Sequence, residues 1–496
     1  MSQIRRPAVS GTFYPSKKQQ LEKTVKGLLN QALDLDYVKP KALIAPHAGY
    51  IYSGSVAASV YKPLIKFKDK INKVILLGPS HHVAFHGLAL PESAYFETPL
   101  GKIEIDQESV ELAKNFEQVS FNDKAHEYEH SLEVHLPFLQ ETLGNNFKLL
   151  PLVVGEASPA EVAQVIQTFW QQEGTLTVIS TDLSHYHDYM TAYLLDIQTC
   201  SNIENLEFEK LHSEKLCGAA PVRGLLYLAK RNNLKVKMVD FCNSGDSQYN
   251  NYISSIANSN ESKAIIPKLA QHNIVTIKEY LDNQDDDRVV GYSSYYVGTE
   301  QDLGYILSKP QKLELLRVAY KAIEYGLDTG NILEDNRTIF RFDTNVKTAT
   351  FVTLEIDGKL RGCIGTLQAH RSIVDDVIHN AFMAAFEDPR FSPINVVEMQ
   401  KMDIRISVLS KPQKIDFKNQ KDLLNQIRPG IDGLVLSEAG GYKSTFLPSV
   451  WEDLKTPEEF LAHLKVKAGL PENYWSDSLE VERYIVEYIT MDKLYS

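Results

Sequence analysis

The first three hundred residues alternate between two kinds of segment. Short apolar runs end in polar, Gly- or His-bearing turns: KALIAPHAGY (41–50), KVILLGPSHH (73–82), FKLLPLVVGE (147–156), TLTVISTDLSH (175–185) and KVKMVDFCNSGD (235–246). Between them lie SVELAKNFEQV (109–119), PAEVAQVIQTFWQQ (159–172) and PVRGLLYLAKRNN (221–233), whose apolar residues recur at helical spacing. Buried β-rich runs alternating with amphipathic helices predict an α/β domain over 1–300 with a largely parallel sheet. The Asn/Ser-rich stretch 248–287 breaks the pattern and reads as an insertion, with IVTIKEYL (274–281) a short packed element inside it. The run RVVGYSSYYVG (288–298) then resumes as the last strand of the domain, and a linker is expected near 299–306.

From 305 to 496 the pattern changes. A helix is predicted over KPQKLELLRVAYKAIEYGL (309–327) and another over SIVDDVIHNAFMAAFED (372–388). Strands are predicted in TATFVTLEIDGKLRGCIGTL (348–367), with a turn at Asp357-Gly358, in MDIRISVLSKPQKI (402–415) and in GIDGLVLSEAGGYKSTFLP (430–448). This is an α+β domain around an antiparallel sheet.

Composition narrows the function classes. Hydrophobic residues are 43% of 496 and charged residues 23%, enough for every large segment to bury a core. The net charge is −12, and residues 305–496 carry 24 basic against 28 acidic side chains, so neither part offers the basic field of a nucleic-acid binder. Four scattered cysteines suit a reducing cytoplasm rather than a disulfide framework. The N-terminus MSQIRRPAVSGTFYP lacks the apolar core of a signal peptide, and no apolar run approaches the ~18 residues of a membrane span. The expectation is a cytoplasmic protein with neither a membrane nor a nucleic-acid partner.

Eleven of the 14 histidines precede residue 300, so the chemistry is expected there. Four strand ends carry metal-capable or proton-transferring groups: His47; His81 and His82; Asp182 and His185; Cys242 with Asp246. In a parallel sheet those ends open onto one edge and can converge. Two imidazoles and one anion with open positions suit Fe(II), and also Zn or Cu. His47 and His81 form the best imidazole pair, and Asp246 is the most plausible carboxylate. Asp182 and His185 are placed to orient a ligand or transfer protons. His126 and His130 match the spacing of a zinc-protease motif literally, but HEYEH is too polar for a long helix and reads as a loop. His130, with Glu133, is instead expected at the rim as a proton-transfer or substrate contact.

These segments also carry a resemblance. PAVSGTFYP (7–15), IAPHAGYIYSG (44–54), LLGPSHH (76–82), EHSLEVHLPFL (129–139), STDLSHY (180–186), LCGAAPVRGLL (216–226) and NSGD (243–246) together resemble the Memo family. That family is similar in fold to the catalytic subunit of class III extradiol dioxygenases. The resemblance implies a non-haem iron site on His47 and His81, with Asp182 and His185 in the same pocket. A cysteine can supply the family's third ligand just after NSGD; that position here is Ser247, and Asp246 is the expected substitute. LRGCIGTL (360–367), FEDPRFSPI (386–394), DIRISVLS (403–410), GIDGLVL (430–436) and STFLPSVW (444–451) resemble the AMMECR1 domain, over 305–496. There Cys363 is either a nucleophile, if His370 or His379 comes close, or a small buried apolar residue between packing glycines. Arg361, Arg390 and Arg405 are a candidate anion pocket.

The two families together imply a place beside a radical-SAM protein in the AmmeMemoRadiSam system. The expected function is therefore a metal-dependent, dioxygenase-like oxidoreductase acting on a small molecule or peptide. The alternative is a non-catalytic binding or scaffold protein for the radical-SAM partner.

Overall fold

The computed structural model describes residues 4–32, 40–246, 288–299, 303, 307–334, 347–399 and 401–490. Ser247, the expected insertion at 248–287 and most of the expected linker lie outside the described residues. The chain divides into two compact units, Met1–Pro310 and Gln311–Ser496.

Four apolar runs of the first unit become the parallel centre of a nine-stranded sheet, in the order Ala42–Ala45, Thr175–Ser180, Lys73–Pro79, Lys148–Val154. Their side chains are buried on both faces, which is why they read as continuous apolar runs rather than alternating ones. Pro151 is tolerated inside the Lys148–Val154 strand. The outer edge there is unpaired between the Leu149 bridge to Ile105 and the pairing of Val153 with Ala89, so no ladder bond needs its missing N–H. The flanks are antiparallel: Leu88–Leu90 adds beside Lys148–Val154, and Val289–Gly298 pairs with both Ala42–Ala45 and Lys235–Asn243. Lys235–Asn243 therefore runs in the same direction as the central strands, and its end opens on the same edge of the sheet.

The crossover helices begin where local chemistry allows. Pro159–Trp170 starts with a capping box, in which Ser158 Oγ accepts from the Glu161 N–H and the Glu161 carboxylate accepts from the Ser158 N–H. Ala219–Arg231 lies against it through Gly224, where a Cβ would come within 2.4 Å of Val162. The segment 109–119, expected to be one helix, divides: the helix is Gln107–Ala113, and Val119–Phe121 is an edge strand beside Leu88–Leu90.

The second unit holds two four-stranded antiparallel sheets. One has the order Lys359–Gly365, Ala349–Ile356, Met402–Leu409, Val486–Ile489; the other Gln413–Lys414, Glu480–Tyr484, Gly433–Glu438, Tyr442–Phe446. Asp357 and Gly358 both take positive φ, 52° and 70°, as the tight hairpin between Ala349–Ile356 and Lys359–Gly365 requires. The helix Ile373–Phe386, capped by Ser372, packs on this hairpin. A Cβ at Gly362 would lie 2.1 Å from the Ala384 carbonyl oxygen, so the glycine permits the close approach.

Candidate metal centre

Beyond the ends of the central strands, His47, His81 and Cys217 bring one ligand atom each within 4.8 Å of one another. His47 follows the Ala42–Ala45 strand and is 1% exposed. Its Nδ1 lies 2.6 Å from Ser180 Oγ, and that hydroxyl donates its own proton to the Ser131 carbonyl at 2.6 Å. Ser180 can therefore only accept from His47, so His47 carries its proton on Nδ1 and presents the Nε2 lone pair. Nε2 lies 3.3 Å from Cys217 Sγ.

His81 is keyed in the same way. Glu129, 2% exposed, accepts from the His81 N–H at 2.6 Å, from His81 Nδ1 at 2.8 Å and from the Ser131 N–H at 2.9 Å. Burial alone would raise the Glu129 carboxyl, but the His81 ring and these N–H groups outweigh it and hold it down at about 2. An ionised Glu129 fixes the proton on His81 Nδ1 and leaves Nε2 free to ligate. The turn 129–131 thus orients both imidazoles. Gly78 lets that turn in, because a Cβ there would lie 2.7 Å from Ser131 Oγ.

Cys217 comes from the loop entering the Ala219–Arg231 helix, not from a strand end. Gly218 seats it: a Cβ would fall 2.5 Å from the Ser180 carbonyl oxygen and 2.6 Å from Thr181 Cβ. The thiol also receives the Asp182 N–H at 3.2 Å. Burial pushes it up to about 12, and a bound cation would deprotonate it.

Proton-handling groups surround the trio. Asp182 accepts the His47 N–H at 2.8 Å, and its other oxygen is 3.8 Å from His47 Nε2. Burial raises Asp182 to about 7, against the pull of that hydrogen bond. His130 stacks on His81 with ring centroids 4.6 Å apart and lies 5.4 Å from the His47 ring. Burial, then the neighbouring His81, lowers it to about 4, so it is neutral at pH 7. With His81 and Glu129 it forms a second group of metal-capable atoms. His185 opens the short strand His185–His187, and burial lowers its basicity.

Three expectations change. Asp246 joins neither group: its carboxylate accepts from Tyr189 Oη at 2.7 Å and from the Asn243 N–H at 2.9 Å, a local arrangement that closes the strand end. Cys217 takes the third place instead. Glu133 is not at a rim; it is fully buried, accepts from Ala8 N–H, Val9 N–H and Tyr14 Oη, and pairs with Arg5. His126, expected in a loop, lies instead in the short helix Asp123–Glu127, its Nε2 donating to the Ala89 carbonyl. Sequence reasoning missed Cys217 and Glu129 as site residues. The signal for Cys217 was the Cys-Gly pair just before an apolar helix; the signal for Glu129 was a carboxylate adjoining His130.

In the second unit, Arg361 pairs with Glu398, Arg390 with Asp388 and Arg405 with Glu355, so the three arginines are neutralised separately rather than pooled for an anion. Cys363 Sγ lies 3.3 Å from Thr353 Oγ1, and neither His370 nor His379 is hydrogen-bonded to it.

Comparison with known proteins places these two units. A family profile described as "Memo-like protein" matches residues 5–259, and one described as "AMMECR1" matches 316–489. A MEMO1 family protein of Aquifex aeolicus is 40% identical over 259 residues, covering 49% of this chain and 93% of that protein. One of Aeropyrum pernix is 31% identical over 264 residues, covering 49% and 94%. An uncharacterised protein of Pyrococcus horikoshii of known crystal structure is 32% identical, covering 35% of this chain and 88% of that one, with a TM-score of 0.32.

Proposed function

Since the chain belongs to the Memo-like protein family over residues 5–259 and carries an AMMECR1 domain at 316–489, we propose that its first unit is a metal-dependent, dioxygenase-like oxidoreductase acting on a small molecule. The observation that carries the reading is the pair of imidazoles with Nδ1 protons fixed by Ser180 and Glu129, both directing Nε2 to one place beside Cys217. Two imidazoles and one thiol in that arrangement fit a first-row transition metal with positions left open. His47, His81 and Cys217 would hold it. Iron is the metal proposed, with zinc and copper as the competitors that a sulfur ligand favours. The bound metal would supply a Lewis-acidic point where substrate and oxygen meet.

The chain's own residues supply the rest. Glu129 and Ser180 hold the imidazoles in one tautomer. Asp182, raised to about 7, can hold a proton near neutral pH, while His130, lowered to about 4, is free to accept one. His185 is the other acceptor on this side of the site. A radical-SAM protein is the proposed partner, a reading supported by the two domains sharing one chain.

The test is metal content and oxygen consumption after anaerobic reconstitution with Fe(II), with catechols as trial substrates. Wild type should hold one metal per chain, and a His47→Ala/His81→Ala variant should hold none. Equal iron in both sinks the site assignment. Full metal loading without oxygen uptake on any catechol removes the dioxygenase half.

A further inference from the structure

On the far side of Cys217 lies a cavity of about 570 Å³, within the size range of small-molecule sites. One wall is the 80–86 loop, pinned where Ser80 Oγ donates to the Val83 carbonyl and where Gly155 lets the Phe85 carbonyl approach to 2.2 Å of a would-be Cβ. The opposite wall is the first turn of the Ala219–Arg231 helix, with Arg223 lining the space.

Arg223 differs from the other described arginines that are not exposed to solvent. Arg5, Arg317, Arg361, Arg371 and Arg483 are each within 4 Å of a carboxylate, whereas the exposed Arg6, Arg231 and Arg288 need none. Half-buried Arg223 has no ion pair and no hydrogen bond among the described residues, and its Nε is shut off from solvent without an acceptor. Its two terminal nitrogens are not shut off in this way, so they are open to a ligand in the cavity that Arg223 lines. Glu156, also lining the cavity, is exposed and lies within 4 Å of His86 but not of Arg223.

We propose that this cavity is a subsite for the carboxylate of a small organic acid, held by the guanidinium of Arg223 and the opening N–H groups of the helix. The planar fork of arginine matches two carboxylate oxygens. The first-turn N–H groups of Ala219 and Ala220 have no intrahelical acceptor, and the next residue, Pro221, has no N–H. One cation and two N–H groups suit a singly charged planar anion better than a phosphate. Phe85, Val154 and Pro221 line the cavity with apolar surface for the organic body. Cys217 is the one lining residue that also belongs to the metal trio, so the cavity meets the proposed metal centre through that side chain and not through His47 or His81. That last step rests on the metal-centre reading; recognition of the carboxylate does not.

The test uses the full chain stripped of metal with a chelator, titrated calorimetrically with 3-phenylpropanoate, with the uncharged 3-phenylpropan-1-ol, and with inorganic phosphate. The acid should bind saturably. The alcohol should bind at least about tenfold more weakly, as should the acid to Arg223→Gln. Because the titration is run on the metal-free chain, loss of the metal reading would leave this result standing. Equal affinity of wild type and Arg223→Gln overturns the proposal. So does the absence of saturable acid binding, or phosphate binding more tightly than the acid. If Arg223→Gln fails to fold, the acid-to-alcohol ratio in Arg223→Lys decides: a fall from wild type supports the guanidinium fork, and an unchanged ratio overturns it.

Discussion

Replacing Gly218 by alanine tests how Cys217 is held. The new methyl would lie 2.5 Å from the Ser180 carbonyl oxygen, 2.6 Å from Thr181 Cβ and 2.7 Å from Thr181 Oγ1, whereas ordinary contact begins at 3.4 Å. Two of those atoms are backbone or branch-point atoms with no freedom to swing aside. The 217–218 segment must therefore retreat by about 0.9 Å, the difference between contact and clash. Metal–ligand distances tolerate only about 0.2 Å, so Cys217 would leave its place beside His47 Nε2. Losses of this kind lower metal affinity about 10- to 100-fold, or ~1.4–2.8 kcal/mol. Overpacking adds about 1–3 kcal/mol of lost stability. Chelator competition would measure the first effect and thermal unfolding the second, with Cys217→Ser as the reference for a missing thiol. A Gly218→Ala protein that binds metal as tightly as wild type would refute the reasoning.

Other expectations follow from the same packing. Glu133→Ala leaves Arg5 buried without its carboxylate and strips acceptors from Ala8, Val9 and Tyr14, so denaturant titration should show a loss of about 3–5 kcal/mol in the first unit. Burial holds His126 at about 4, below its ordinary 6.5, so unfolding takes up a proton in that window. The stability it contributes is whole above pH 6.5 and falls by about 3 kcal/mol as pH drops towards 4. His126→Gln should flatten that part of the stability–pH curve, and an unchanged slope would count against the assignment. Gly362→Ala puts a methyl 2.1 Å from the Ala384 carbonyl oxygen, so the second unit should melt earlier while metal binding by the first is untouched.

Much of the fold was legible because its signals are local. The central strands sit inside runs whose both-face burial forces continuous apolar sequence, and Asp357-Gly358 marks its hairpin by backbone chemistry alone. The edge strands Leu88–Leu90 and Val119–Phe121 were not legible, being three residues long and defined by their partners. In the site, the convergence of His47, His81, Asp182 and His185 follows from the parallel topology. Cys217 escaped because it enters from a helix-leading loop, and its position depends on the fit of Gly218 against Ser180 and Thr181. Asp246 misled for the converse reason: it lies at the expected edge, but Tyr189 and Asn243 engage its oxygens, and no strand-end rule reports that.

The central claim is that His47, His81 and Cys217 hold one metal between them. Cobalt(II) substitution tests it most directly, because a cysteine thiolate bound to cobalt adds a ligand-to-metal charge-transfer band that imidazole and carboxylate ligands do not. One equivalent of Co(II) should produce that band in wild type and in Asp246→Asn, and Cys217→Ser should lack it. A band that survives Cys217→Ser, or Co(II) binding in wild type with no such band, would contradict the account.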